Sequence, residues 1–225
     1  MTSDPERARL DAAVKANDGF FTTFFVSPYS KYVARWAARR GLRPNQVTAA
    51  SLALGALAAA AFADGRRWGL VAGALLLQVA FTTDCVDGQL ARYTENFSDF
   101  GAWLDATFDR LKEYLVYAGL GIGAARAGAP VWALAGAALT LQTARHMVIF
   151  SWVPPIPPTP PERGARVGPA GWLRRMAVFP IGERFAAISL TAALFTPRTT
   201  FIVLLAWGGF AALWEIAGRA RRVMA

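Results

Sequence analysis

The sequence predicts an all-α membrane protein with six transmembrane helices, preceded by an N-terminal amphipathic helix that lies along the membrane surface. Three observations carry this expectation. Runs of near-continuous Ala, Leu, Val and Gly recur at about 45–63, 68–91, 98–125, 130–150, 181–196 and 199–217. Each approaches the ~20 helical residues that cross ~30 Å of hydrocarbon. The chain is also 55% hydrophobic over its 225 residues, more than one soluble core of that size requires. Finally, the basic residues are one-sided. Eight precede the first run, Arg92 follows the second, Arg163, Arg166, Arg174 and Arg175 lie between the fourth and fifth with Arg184 at the start of the fifth, and Arg219, Arg221 and Arg222 follow the last. The opposite side holds only Arg66, Arg67, Arg126 and Arg198. This is the positive-inside pattern with both termini in the cytosol, so the net charge of +9 reads as membrane orientation and not as nucleic-acid affinity.

The elements follow in order within a single domain, 1–225. Residues 1–43 form a cytosolic segment, 44–217 the six-span core and 218–225 a basic tail. Met1 to Lys15 is charged and helical in pattern, with no apolar stretch of the kind a cleavable signal peptide needs. Ser27-Pro28 predicts a helix start, Ser as N-cap and Pro at the first helical position. Tyr29, Tyr32, Val33, Trp36 and Ala37 then share one face, Lys31, Arg35 and Arg39 the other, and Gly41 is the stop. That pattern fits an aromatic-anchored helix on an anionic leaflet. A short turn at Tyr93 to Asn96, with Ser98 capping the next helix, makes the second and third spans antiparallel neighbours. The fourth span runs into Pro154-Pro155-Ile156-Pro157-Pro158-Thr159-Pro160-Pro161, a stiff extended linker. A short amphipathic stretch from Trp172 to Val178 follows, and the fifth run is the shortest.

Seven of the 15 acidic residues fall between Asp84 and Glu113. Asp84 and Asp87 are three apart and Asp105 and Asp109 four apart, so each pair shares a helix face. Four facing carboxylates at a bilayer edge need cations, and an all-oxygen set favours magnesium or manganese. Arg110, Lys112 and Arg145 are the side chains that could instead pair with some of the acids. Gly88, Ala91 and Gly101 leave space beside them, and Arg92 can fork onto phosphate oxygens. Cys85 is the sole cysteine, which rules out an intrachain disulfide, and its expected role is packing. His146 reads as a hydrogen-bonded interior residue, and Glu113 as a counter-charge to either Arg145 or Lys112.

From Asp84 to Asp109 the chain reads D-x2-D-G-x2-A-R-x8-G-x3-D-x3-D, eight constrained positions in 26 residues. Upstream stands Pro44-Asn45-Gln46-Val47-Thr48. Both strings resemble the CDP-alcohol phosphotransferases, and together they cover 44–109. The resemblance implies an integral-membrane transferase that moves a substituted phosphate from a CDP-linked donor, CDP-diacylglycerol or a CDP-alcohol, to an acceptor hydroxyl and releases CMP. It implies two divalent cations, Mg2+ or Mn2+, held by Asp84, Asp87, Asp105 and Asp109, with Asp109 also the general base. Asn45, Thr48, Gly88, Ala91, Arg92 and Gly101 would contact the CDP moiety. Arg145, an intramembrane cation, and Arg174, Arg175 and Arg184 near the cytosolic openings are candidates for an acceptor phosphate. The implied setting is phospholipid biosynthesis with inositol phosphate or glycerol phosphate as acceptor. Asp18-Gly19-Phe20 resembles the corresponding segment of inositol-phosphate-transferring members. A homodimer is expected, the Gly/Ala-rich third and fourth spans offering faces. The alternatives are a soluble-donor transferase of the inositol-phosphate type, a divalent-metal transporter, whose site would lie near the midplane, and a silent membrane scaffold.

Overall fold

The computed structural model describes residues 4–16, 18–150 and 167–224, and its regular structure there is entirely helical. The helices are α1 (Asp4–Ala13), α2 (Ser27–Arg39), α3 (Pro44–Ala63), α4 (Arg67–Thr94), α5 (Asp99–Arg126), α6 (Trp132–Phe150), α7 (Pro169–Ala177), α8 (Ile181–Leu194) and α9 (Pro197–Met224), with a π-helical turn at Thr22–Val26. The Pro-rich stretch at 154–161 lies outside the described residues.

The chain chemistry explains most boundaries. Gly41 ends α2 at φ +69°, a left-handed position that suits glycine. Pro44 opens α3, and the Gln46 side chain accepts from the Arg43 N–H at 2.9 Å. Ser98 caps α5 as expected, its Oγ accepting from Gly101 N at 2.9 Å. Ser27 does not cap α2. Its φ and ψ are helical, because the π turn feeds directly into α2 and leaves no extended residue to act as a cap.

Six of these helices coincide with the six predicted runs, but not all are apolar enough to cross a membrane. By length and composition α3, α4 and residues 197–221 of α9 qualify, and the pair α7–α8, bent by 73°, adds a fourth if it forms one broken span. Among the described residues three or four helices are thus clear candidates for crossing by length and composition, not six. α5 is long enough but carries Asp105, Asp109, Arg110, Lys112 and Glu113 in its interior, and α6 carries Gln142, Arg145 and His146. α8 has only 14 residues, about 21 Å at 1.5 Å per residue.

α3, α4 and α5 form the centre of the packing. Gly119 and Gly123 bring α5 against the backbone of α3, where an added Cβ would strike the carbonyls of Ala59 and Phe62. Gly121 faces Trp132 and Ala135 of α6. These three glycines of the third run are therefore engaged in packing inside the protomer. Phe62, Leu77, Phe81, Leu120, Phe185, Ile188 and Phe201 fill the core between α3, α4, α5, α8 and α9.

α2 packs its small residues Ser30, Ala34 and Ala37 inward and leaves Tyr29, Tyr32, Val33 and Trp36 exposed. Ala37 thus falls on the buried side, away from the aromatic face expected to include it. α1 lies over the basic face: Glu6 binds Arg35 at 2.6 Å and Arg39 at 3.3 Å, and Asp11 binds Lys31 at 2.5 Å.

Candidate active site

Three helix faces meet at one place. On α3, Asn45, Thr48 and Ser51 recur every three residues and Gly55 continues the stripe. On α4 the face is Asp84, Asp87, Gly88 and Ala91, and on α5 it is Gly101, Asp105 and Asp109. One oxygen each from Asp84, Asp105 and Asp109 lies within 4.8 Å of the others. Asp87 stands outside that group, accepting from Thr48 Oγ1 at 2.6 Å through its Oδ2.

The cluster contains a cation of its own. Lys112, fully buried, binds Asp84 Oδ1, donates to Ser51 Oγ at 2.7 Å and lies 3.1 Å from Asp109 Oδ1. Ser51 also donates to Asp84 Oδ1 at 3.1 Å. Asp109 Oδ1 is buried and accepts no hydrogen bond despite the nearby ammonium. The donors are hard oxygens without His or Cys, which is the chemistry of magnesium or manganese. The residues therefore fit the divalent site that the resemblance implies.

Beside the cluster lies a cavity of about 200 Å³. Asn45, Thr48, Gly88, Ala91, Arg92 and Gly101 all line it, with Asp87 and Asp105 at its wall. Gly101 is needed for the close approach of helices here, since a Cβ would stand 2.9 Å from both Asn45 Oδ1 and Ser98 Oγ. A Cβ on Gly88 would touch the Arg92 guanidinium at 3.4 Å.

The N-terminal segment reaches the cavity from one side. Arg92 Nε donates to Ala13 O at 2.5 Å, and Arg9 stacks on Tyr93 while donating to its carbonyl at 3.1 Å. Burial pushes the Asp18 carboxyl above its ordinary range, against the opposing pull of Lys15, the Gly19 N–H, Arg92 and Arg175. Arg175 donates to Asp18 O at 3.3 Å and covers the Trp172 ring.

The proposed acceptor cations lie elsewhere. None of Arg145, Arg174 and Arg175 lines the cavity. Arg145 is not an unpaired intramembrane charge: Glu215 of α9 binds it at 2.9 and 3.2 Å, and the Val178 carbonyl accepts from it at 2.8 Å. Arg184 is engaged by Glu113 at 2.8 and 3.2 Å and by Phe179 O at 2.6 Å. Glu113 therefore balances Arg184, neither Arg145 nor Lys112, and also accepts from Tyr117 at 2.9 Å. Arg174 stands beside Trp214, Gly218 and Arg221. His146 lies within hydrogen-bonding distance of Gln142 at 3.0 Å and Tyr114 at 3.4 Å. Cys85 is half-buried against the hydrophobic core.

Sequence reasoning missed Ser51 and underrated Lys112. Both had a signal, since Ser51 follows Thr48 and Lys112 follows Asp109 by three residues on their helices.

A carboxylate cluster that could hold a metal ion, set among apolar helices and beside a small-residue cavity with one guanidinium, is the arrangement of a metal-assisted membrane protein site. Comparison with known families makes this specific: the profile of the CDP-alcohol phosphatidyltransferase family matches residues 42–217, and the chain belongs to that family. Among curated relatives, it is 45% identical over 107 residues to a bifunctional IPC transferase and DIPP synthase of Rubrobacter xylanophilus, covering 45% of this chain and 23% of that protein. It is 40% identical over 92 residues to a phosphatidylinositol phosphate synthase of Mycolicibacterium smegmatis, covering 40% of each. An archaetidylinositol phosphate synthase of Pyrococcus horikoshii is 35% identical over 91 residues, 40% of this chain and 47% of that protein. The matches thus span between 23% and 47% of the length of these relatives.

Proposed function

We propose that this protein transfers a substituted phosphate from CDP-diacylglycerol, or a similar lipid-linked CDP donor, to a hydroxyl of inositol phosphate and releases CMP. The observation that carries the reading is the cavity itself. All six positions matching the family's CDP contacts line one space, and the carboxylates of Asp87 and Asp105 form part of its wall. The inositol phosphate acceptor is favoured by the names of the mycobacterial and archaeal relatives.

Asp84, Asp87, Asp105 and Asp109 would hold the divalent ions, which when bound supply charge neutralisation for the diphosphate and the departing CMP. The remaining work belongs to the chain. Gly88, Ala91 and Gly101 leave room for cytosine and ribose, and Asn45 and Thr48 supply polar groups from α3. Arg92 meets a phosphate oxygen. Asp109 accepts the proton of the attacking hydroxyl. The new bond joins the acceptor oxygen to the donor's β-phosphorus, and the bond between that phosphorus and the bridging oxygen breaks. CMP leaves with the electron pair.

In the same reading α3, α4, α5, α6, α8 and α9 make six crossings, with α5 and α6 shielding their polar residues by packing. The site and both termini face the cytosol, and α2 lies at the interface with its exposed aromatics in lipid. The protein acts as one domain and forms a homodimer, for which the exposed Ala133, Gly136 and Ala137 of α6 offer a face. A metal transporter is disfavoured because its ion path has no use for a cavity combining Asn45, Thr48 and Arg92.

The test is CMP release by the purified protein in mixed micelles, with lipid-linked and soluble CDP donors each offered to inositol phosphate, glycerol phosphate and inositol. CMP formed with the lipid donor and inositol phosphate is expected. Preference for a soluble donor would establish the alternative transferase, and no CMP with any pair would overturn the reading.

A further inference from the structure

Lys112 is a buried ammonium in the middle of the carboxylates, where the proposed chemistry has no evident use for it. Its position is built by two helices. On α3, Gly55 opens a channel for the aliphatic stem: a Cβ there would stand 2.7 Å from Lys112 Cγ and 3.1 Å from Cδ. One turn earlier, Ser51 accepts from the ammonium at 2.7 Å. The ammonium then binds Asp84 Oδ1 and stands 3.1 Å from Asp109 Oδ1. Asp84 and Asp109 are two of the three residues whose oxygens converge within 4.8 Å. Lys112 thus addresses the same oxygens that a divalent ion would take.

We propose that Lys112 is an internal counter-ion of the acid cluster, neutralising Asp84 and Asp109 while no metal is present and competing with a divalent ion for their oxygens. This rests on the divalent site of the reading above. The physical case is direct. Several carboxylates brought together in a low-dielectric interior repel one another, and a buried charge without a partner is strongly destabilising. A lysine on the same helix as Asp105 and Asp109 supplies one positive charge whenever α5 forms, so the cluster can assemble ahead of metal. The same charge opposes the entry of a divalent cation, and its contacts must loosen for Asp84 and Asp109 to turn fully to the metal. The effect is a site that folds without its ions and holds them less tightly than four unopposed aspartates would.

The experiment compares the full chain with Lys112→Met and Gly55→Ala in detergent micelles. Lys112→Met keeps the stem and removes the charge. Gly55→Ala keeps every charge and displaces the stem, and alanine in a helix interior is intrinsically favourable, so this variant guards against a fold lost with Lys112→Met. Mn2+ binding is read by the decline of the free-ion paramagnetic resonance signal, and thermal unfolding is followed in chelator and in excess Mg2+. Lys112→Met should bind Mn2+ at least about ten-fold more tightly, unfold at lower temperature than the parent in chelator, and recover most of that difference in Mg2+. Gly55→Ala should shift the same quantities in the same direction by a smaller factor. Mn2+ affinity unchanged or weakened in both variants would overturn the counter-ion role while leaving the metal site intact. No Mn2+ binding by the parent chain would sink the divalent site of the proposed function, and this inference with it.

Discussion

Asp109 and Asp84 stand on facing helices and share Lys112, yet their surroundings differ. Asp84 is held by Ser51 as well as by the ammonium, whereas Asp109 Oδ1 is buried without a hydrogen bond. Asp109 Oδ1 is held only by the ion pair with Lys112, so Asp109 is the less restrained of the two acids and the better placed to receive a proton from an incoming hydroxyl. Asp109→Asn keeps one coordinating oxygen and removes the basic site. Its donor affinity should survive better than its turnover, and single-turnover CMP release should fall at least about a hundred-fold, within the usual range for general-base assistance. Asp84→Asn should weaken donor and metal binding together. Near-normal turnover in Asp109→Asn would assign the base elsewhere. Exhaustive chelation should abolish CMP release in the parent chain, and full activity in chelator would remove the metals from the reaction. The spacing of these aspartates, with Gly88, Ala91 and Gly101, was legible because helix periodicity fixes which residues share a face. The partner of each interior cation was not, because periodicity describes one helix at a time. Arg145 could not be matched to Glu215, 70 residues away, nor Glu113 to Arg184, 71 away, without knowing which helices touch.

Those long-range pairs tie helices to one another. Arg145 joins α6 to α9 through Glu215 and to the end of the α7 segment through Val178 O, while Glu113 joins α5 to α8 through Arg184. Removing one partner of a buried pair leaves a charge uncompensated, typically at a cost of 3–5 kcal/mol. Arg145→Met should therefore lower the unfolding temperature and reduce turnover with all acceptors alike. A selective rise in the acceptor's KM with unchanged stability would instead restore Arg145 as an acceptor ligand. The glycines of α5 act at the same scale. Gly123→Val would drive a side chain into the Phe62 carbonyl and separate α3 from α5. Overpacking of this kind costs about 1–3 kcal/mol, and here it also parts Thr48 and Ser51 from the α5 aspartates, so stability and CMP release should fall together. Gly209→Ala on α9, where nothing lies within 4 Å, should leave both unchanged. Hydropathy alone located six helices but could not show which of them carry a polar site in their interior. α5 shows the reason: the charges that lower its apolar character are the ones its neighbours enclose.

At the scale of the whole molecule the chain has two poles. At one end, the turns at 64–67, 127–131 and 195–198 gather around a shared cavity that includes Arg67 and Arg198. Arg67 donates there to Phe195 O at 3.1 Å, and Arg126 donates to Ala63 O at 2.8 Å. These arginines cap carbonyls at helix ends and leave the pole sparsely charged. At the other end stand the site cavity, Arg92, the α4–α5 turn and α1 with its partners on α2. α4 connects the poles with 28 residues, about 42 Å of helix, more than the ~30 Å hydrocarbon layer. The turns at its two ends must then face opposite compartments if α4 crosses the membrane. By the positive-inside rule, the excess of basic residues at the site pole predicts that this pole faces the cytosol. Reporter cysteines test this in a Cys85→Ala background, which removes the native thiol. A cysteine at Arg66 should react with a membrane-impermeant maleimide added to intact cells, and one at Asn96, exposed beside the site cavity, should react only after the membrane is opened. The opposite pattern would invert the molecule, and labelling of both from one side would mean that α4 does not span.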